Sequence, residues 1–368
     1  MSVLLRASDA LFVTGGGTAG HIYAGLAIAD RWRERFPSAQ IVFVGARGGM
    51  EERLVPRSPH PLRLLSMGAW NGMPWHRRLR TALQIPLSFG VSVTWLLRAR
   101  PAAVIGVGGY ASFPLVLAAA CVGWLWGCRI AVLEQNVLPG LTNRVLGKFC
   151  GRVFCAFPGA ENVFGSDKVR VTGNPVRSAF EPLPSASRSP FTIFVFGGSQ
   201  GAVGVNTLMI ESLPSLKASG RALRVIHQTG DRDFERVAEA YKKASIDARV
   251  EKFIYDMKES YAAADLLVCR AGSSTLSEVA AVGRAAILIP LVSKDRHQVF
   301  NAEYFASQGA AEMRIQGETT GEGLAHLILE LASDPARIGS IEKKVTAFFR
   351  PGAVDAIVSD LSAKGGVG

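Results

Sequence analysis

The chain has 368 residues, 48% of them hydrophobic and 19% charged, with a formal net charge of +11. That length and apolar content exclude a disulfide-stapled mini-fold and a disordered chain, and leave material for two cores of ordinary size. Five cysteines (Cys121, Cys128, Cys150, Cys155, Cys269) with neither CxxC nor Cys/His ligand spacing read as reduced thiols, not as a disulfide framework or a zinc site.

Met1–Asp9 lacks the basic region and long apolar run of a secretory signal. Leu11–Thr14 is an apolar run that enters Gly15-Gly16-Gly17-Thr18-Ala19-Gly20, and helical periodicity follows from about Ile22 to Arg35. Ile41–Val44 is a continuous apolar run, as in parallel sheets covered on both faces, and Leu62–Leu65, Ala103–Val107, Ile130–Leu133, Val153–Ala156 and Val169–Thr172 are further candidate strands. Two uncharged stretches resemble membrane spans. Pro86 and Gly90 interrupt Thr81–Leu97. Pro101–Cys128 parses as strand, glycine-rich turn and a helix from Ser112 to about Trp124, short of the ~20 residues a span needs.

Pro175–Pro190 holds four prolines and four serines, the composition of a linker. The alternation then restarts with strand Phe191–Phe196, the turn Gly197-Gly198-Ser199-Gln200-Gly201 and a helix from about Ala202. Strands Leu223–His227, Val250–Ile254, Leu266–Cys269 and Ala286–Leu288 follow, with helices over Phe234–Ala244, Ser274–Ala281 and Gln298–Ser307. The chain therefore reads as α/β, two Rossmann-like doubly wound parallel-sheet domains over 1–174 and 191–368, joined by a linker over 175–190. The last helix is free to pack back on the first domain. Ligands are expected at the carboxyl ends of the strands, with a cleft between the domains as the default site.

Gly15–Gly20 satisfies G-x-G-x-x-G, in which glycines let backbone amides approach an anion at a helix N-terminus. Arg47 after the second strand leaves an NADP site open as one reading. Gly197–Gly201 has the same logic, with the Ser199 hydroxyl and amide as phosphate donors, and Gly106–Tyr110 is a third glycine cluster. Asp231-Arg232-Asp233 could hold a divalent cation, or simply favour a helix start. The positive charge is confined to one half: residues 1–172 hold 19 Lys+Arg against 8 Asp+Glu, and the remainder 22 against 22. Such asymmetry points to an anionic membrane, a polyanion or phosphorylated substrates, and no dedicated nucleic-acid motif is present. Trp70, Trp75, Leu79, Leu83 and Ile85 lie among Arg77, Arg78 and Arg80, Trp95–Leu97 precede Arg98 and Arg100, and Trp124–Trp126 precede Arg129. That mixture suits a lipid headgroup region.

Several motifs occur in order: Gly16-Gly17-Thr18-Ala19-Gly20-His21, Gly108-Gly109-Tyr110-Ala111-Ser112, Glu134-Gln135-Asn136 through Gly140–Arg144, and Gly173-Asn174-Pro175-Val176-Arg177. Gly197–Ala202, Cys269-Arg270-Ala271-Gly272, Ser277-Glu278, Asp295-Arg296-His297-Gln298 and Asn301-Ala302 complete the series. From about residue 10 to 310 the chain resembles the MurG family of bacterial N-acetylglucosaminyltransferases. The resemblance implies a GT-B fold and an inverting enzyme of peptidoglycan synthesis. Such an enzyme moves N-acetylglucosamine from UDP-GlcNAc to the 4-hydroxyl of undecaprenyl-diphosphate-linked N-acetylmuramyl-pentapeptide, without cofactor or essential metal. It also implies a peripheral position on the cytoplasmic face of the membrane, and cell-wall synthesis proteins as further partners.

Carried onto matching positions, the resemblance gives Glu278 the ribose hydroxyls, Ser199 the donor phosphate and the Ile254 backbone the uracil edge. Asn136, Arg177, Gln298 and the segment Ser273, Ser274, Thr275, Leu276, Ser277 complete the donor pocket. Thr18, Ala19 and Gly20 face the acceptor diphosphate and the transferred sugar. His21, an imidazole at the glycine turn, is the candidate base, and Glu134 is a second candidate, as base or as orienting group.

Overall fold

A computed structural model of the chain describes residues 7–68, 75–176, 180–183, 189–198 and 200–363, with backbone alone for 75–82. The chain divides into two compact units, Met1–Arg177 with Arg350–Gly368, and Ser178–Phe349.

The first unit alternates β1 (Leu11–Thr14), α1 (Ala19–Arg35), β2 (Ile41–Ala46), α2 (Glu51–Leu54), β3 (Leu62–Leu65), α3 (Trp75–Ala99) and β4 (Ala103–Gly106). It continues with α4 (Ser112–Val122), β5 (Arg129–Glu134), α5 (Leu141–Leu146), β6 (Arg152–Cys155), α6 (Glu161–Phe164) and β7 (Val169–Val171). The strands form one parallel sheet in the order β3-β2-β1-β4-β5-β6-β7, with Leu11 opposite both Ile41 and Ala103. Alternate residues of β1 enter different cores. Leu11 and Val13 pack with Ile22, Ala29 and Trp32 of α1, whereas Phe12 packs with Leu96, Leu115 and Ala119 of α3 and α4. Both faces are thus covered, which is why β1 and β2 are buried along their whole length without alternation.

The second unit runs β8 (Phe191–Phe196), α7 (Val203–Ala218), β9 (Leu223–Gln228), α8 (Phe234–Ala244), β10 (Asp247–Glu251), α9 (Met257–Ala263), β11 (Leu266–Cys269) and α10 (Ser273–Val282). β12 (Ala286–Leu288), α11 (His297–Ser307), β13 (Glu312–Met313), α12 (Gly321–Ser333) and α13 (Pro335–Thr346) follow. Its parallel sheet has the order β10-β9-β8-β11-β12-β13. The last helix, α14 (Ala353–Ser362), belongs to the first unit: Ile357, Val358 and Leu361 enter the core beneath α1. Asp360 fastens it, accepting from Arg170 at 2.5 Å and Arg152 at 3.4 Å, while Arg129 donates to its carbonyl at 2.8 Å. The second unit therefore ends at Phe349, not at the chain terminus.

Three local expectations change. α1 begins at Ala19, ahead of Ile22, because the Thr18 hydroxyl caps it by accepting from the His21 amide at 3.4 Å. α3 continues through Pro86 and Gly90 instead of breaking. β10 lies at Asp247–Glu251, upstream of the expected Val250–Ile254, because an edge strand is set by backbone pairing with β9 and its half-buried side chains carry little apolar signal. Among the described residues no helix is long and apolar enough to cross a membrane.

Candidate active site

In each sheet the chain winds outward from its first strand and then returns to that strand's other side. The switch points lie between β1 and β4 and between β8 and β11. Side connections diverge there and leave a crevice at the strands' carboxyl ends, the usual place for a ligand in this architecture. Each of the two switch points is occupied by a glycine-rich turn opening a helix.

In the first unit the turn after β1 lies against the turn after β4. The Gly16 amide donates to the Gly108 carbonyl at 3.1 Å. Gly109 has φ +80°, and a Cβ there would stand 2.3 Å from the Gly16 carbonyl oxygen, so no side chain fits. Hydroxyls brace the pair: Thr14 donates to the Ala111 carbonyl at 3.1 Å, and Ser112 to those of Thr14 and Gly108 at 3.1 and 3.0 Å. His21, in the first turn of α1, places Nδ1 2.9 Å from the Gly16 carbonyl. A carbonyl only accepts, so in the neutral ring Nδ1 bears the proton and Nε2 the lone pair. Nε2 lies over Gly108, where a Cβ would approach it to 2.9 Å. Thr18, Ala19 and Gly20 are at least partly exposed, and no acidic residue occupies the first turn of α1. That helix end suits an anion.

Glu134 ends β5 and is 2% exposed. Its Oε1 accepts from the Asn136 amide at 2.9 Å and Asn136 Nδ2 at 3.2 Å, and its Oε2 from the Gly140 amide and Asn143 Nδ2, both at 2.9 Å. Four donors on one buried carboxylate match an orienting group. They leave little room for a proton taken from a substrate, so the hydrogen bonding speaks against the base role open to Glu134.

In the second unit Gly198 (φ +100°) and Gly201 (φ +73°) shape the turn after β8, and α7 follows. Gln228, the last residue of β9, spans the site: its Nε2 donates to the Gly198 carbonyl and its Oε1 accepts from the Ile254 amide, both at 2.8 Å. With that amide engaged, the carbonyl is the group through which Ile254 could meet a base edge. α10 starts at Ser273 behind Gly272, directing its first amides and positive dipole end outward from the switch point. Leu276 is fully buried in that helix, and Ser277 donates back to the Ser273 carbonyl at 2.8 Å, so this segment can serve a ligand mainly through its backbone. Glu278 accepts from the Tyr261 hydroxyl at 3.0 Å. Gln298, near the start of α11, accepts from the Leu291 amide at 3.0 Å. Arg177 and Ser199 lie outside the described residues.

Asp233 is buried and committed: Asn206 Nδ2 donates to it at 2.8 Å and Arg236 holds it at 2.7 Å, bonds that keep its carboxyl below the usual range despite burial. It is an internal anchor, and the Asp231–Asp233 pair does not present two carboxylates to a cation. Gln228 and Tyr261 are the site residues that sequence reasoning missed. Gln228 had one usable signal, its place at a strand's carboxyl end before Thr229-Gly230. Tyr261 sits in an unremarkable helix.

The apolar residues among the arginines separate into two groups. Leu96 and Trp126 are core, with Trp126 Nε1 donating to the Pro101 carbonyl at 2.8 Å. Leu83 (67% exposed), Leu87 (72%) and Val91 (42%) instead follow the four-residue spacing of one α3 face. Trp124 and Phe149 are also exposed. Trp70 lies outside the described residues, as do the side chains of Trp75, Arg77, Arg78, Leu79 and Arg80.

Comparison with known proteins gives a consistent match. The glycosyltransferase family 28 N-terminal domain matches residues 11–155, and the family's C-terminal domain residues 192–357. The UDP-N-acetylglucosamine--N-acetylmuramyl-(pentapeptide) pyrophosphoryl-undecaprenol N-acetylglucosamine transferase of Citrifermentans bemidjiense is 42% identical over 359 residues, covering 96% of this chain and 99% of that one. The protein of the same description from Myxococcus xanthus is 42% identical over 347 residues, covering 93% and 90%. The crystal structure of Acinetobacter baumannii MurG superposes with a TM-score of 0.79 at 29% identity, covering 97% of this chain and all of that one.

Proposed function

The chain belongs to the MurG family of glycosyltransferases, and from that premise we propose that it converts lipid I to lipid II in peptidoglycan synthesis. It is a UDP-GlcNAc-dependent hexosyltransferase with a GT-B fold. It transfers N-acetylglucosamine, with inversion, to the 4-hydroxyl of undecaprenyl-diphosphate-linked N-acetylmuramyl-pentapeptide. The observation that carries the assignment of parts is the pair of glycine turns, one at each switch point, with His21 on the first and Glu278 held by Tyr261 in the second unit.

The donor belongs to the second unit. Glu278 takes the ribose hydroxyls and the Ile254 carbonyl the uracil imide. The backbone of Ser273–Ser277, with Gln298 and Ser199, holds the diphosphate and sugar. The acceptor diphosphate meets the Gly17–Gly20 part of the first turn. His21 Nε2 takes the proton from the acceptor hydroxyl as that oxygen bonds to C1 of the sugar. The bond from C1 to the phosphate oxygen breaks, and UDP leaves with the electron pair. Helix N-termini and backbone amides are the fixed donors available to the departing diphosphate. Glu134 orients Asn136 and the Gly140–Asn143 loop.

The exposed α3 face, in the half that contains all the net charge, docks on the anionic cytoplasmic leaflet. The decisive experiment is transfer from labelled UDP-GlcNAc to a short-chain lipid I analogue, with other nucleotide-sugars as competitors. Transfer from UDP-GlcNAc is expected. Its absence, or preference for another donor, would overturn the reading.

A further inference from the structure

Glu51 opens α2 and is fully buried, and neither carboxyl oxygen has a hydrogen-bond partner among the described residues. Three glycines from two segments of the chain surround it. A Cβ on Gly16 would stand 1.4 Å from Glu51 Oε1, one on Gly49 2.0 Å from Oε2, and one on Gly45 2.7 Å from Glu51 Cβ. None of these three glycines has a positive φ, so the backbone at each would accept alanine. Their lack of a side chain answers to Glu51. Gly17, at φ +81° with nothing near its missing Cβ, answers instead to backbone conformation.

A buried, unpartnered polar group costs about 1–3 kcal/mol, and an ionised one far more. Burial accordingly raises the Glu51 pKa, Glu52's charge adds to the rise, and the backbone of Glu51 and Ala46 opposes it.

We infer that Glu51 is a positioning residue: its side chain fills the space left by Gly16, Gly45 and Gly49, supports the Gly15–Gly17 turn from below and couples it to the segment from Gly45 to Gly49. This rests on the reading of that turn as the acceptor site. Full-length E51Q, G16A and G16A/E51A are compared with wild type by varying acceptor analogue at saturating UDP-GlcNAc and the reverse, with a thermal unfolding midpoint for each.

G16A is expected to raise the acceptor KM by about tenfold or more with the donor KM within about twofold, and E51A in the G16A background to recover most of that loss. E51Q, of the same shape, is expected to hold the acceptor KM within about threefold of wild type. A harmless G16A, additive effects in the double variant, or an E51Q loss as large as that of G16A would each overturn the proposal. If G16A fails to fold, recovery of folding in G16A/E51A reports the same coupling, and no recovery refutes it. A wild-type chain inert toward acceptor and UDP-GlcNAc would instead refute the proposed function, leaving the coupling to be judged from unfolding midpoints.

Discussion

The Tyr261 hydroxyl donates to Glu278 Oε2 across 3.0 Å, from a ring that is itself fully buried. Phe180, Phe194 and Phe196 meet that ring edge-on at 5.5–5.7 Å between centroids, so the donor cannot swing away. Burial, then the neighbouring Glu278 charge, pushes the phenol well above its usual range and keeps it a donor. Glu278 is thus held in one orientation.

Tyr261→Phe should therefore weaken the donor side alone. The UDP-GlcNAc KM is expected to rise about threefold to tenfold, the worth of about 1 kcal/mol in one hydrogen bond, with the acceptor KM unchanged. Steady-state kinetics with each substrate varied in turn checks this. An equal rise in both KM values would point to general loosening of the fold.

His21→Ala should lower kcat by about 10²- to 10⁴-fold while leaving UDP-GlcNAc binding near its wild-type strength. The pH–rate profile should also lose its acidic limb, since the group that must be unprotonated is gone. Binding by calorimetry and turnover across pH check the two halves. A loss below about threefold would exclude an essential base.

Glu134→Gln should destabilise the first unit. The replacement amide turns an NH₂ toward donors that the carboxylate now accepts, either the Asn136 pair or the Gly140 amide and Asn143 Nδ2. A loss of about 1–3 kcal/mol is expected in denaturant unfolding. Unchanged stability with greatly reduced kcat would restore Glu134 as a candidate base.

His227 makes stability depend on pH. It is fully buried between Tyr241 and Asn206, at 3.0 Å from each, and burial lowers its pKa from 6.5 to about 3. Between those values the unfolded chain binds a proton that the folded chain does not. Its contribution is complete above pH 6.5 and is lost as pH falls toward 3, by up to about 1.4 kcal/mol per unit. Unfolding midpoints from pH 7 to pH 4 should fall less steeply in His227→Gln.

Leu83→Asp with Leu87→Asp should abolish binding to anionic vesicles while transfer to a water-soluble acceptor continues. Both residues are more than 60% exposed, so the fold should tolerate the change. Sedimentation with phosphatidylglycerol-containing vesicles checks the first statement. Undiminished sedimentation would move the docking surface elsewhere.

The sequence by itself determined the architecture, because its signals are local. Continuous apolar runs mark strands covered on both faces, and glycine turns such as Gly15–Gly20 and Gly197–Gly201 mark where strand passes into helix. The ordered motifs carried the family in the same way. Only the tertiary structure decided which of those residues act on one another. Leu83 and Leu96 are equally apolar along the chain, yet one faces outward and the other is core, a difference set by the sheet beneath α3. Asp360 closes on Arg152 and Arg170 from about 190 or more positions away, which returns α14 to the first unit. Gly16 looked like part of a phosphate motif, and its missing Cβ proves to be the space that Glu51 fills. Sequence patterning records what a residue needs from its neighbours along the chain, whereas burial and partnership depend on segments brought together by folding.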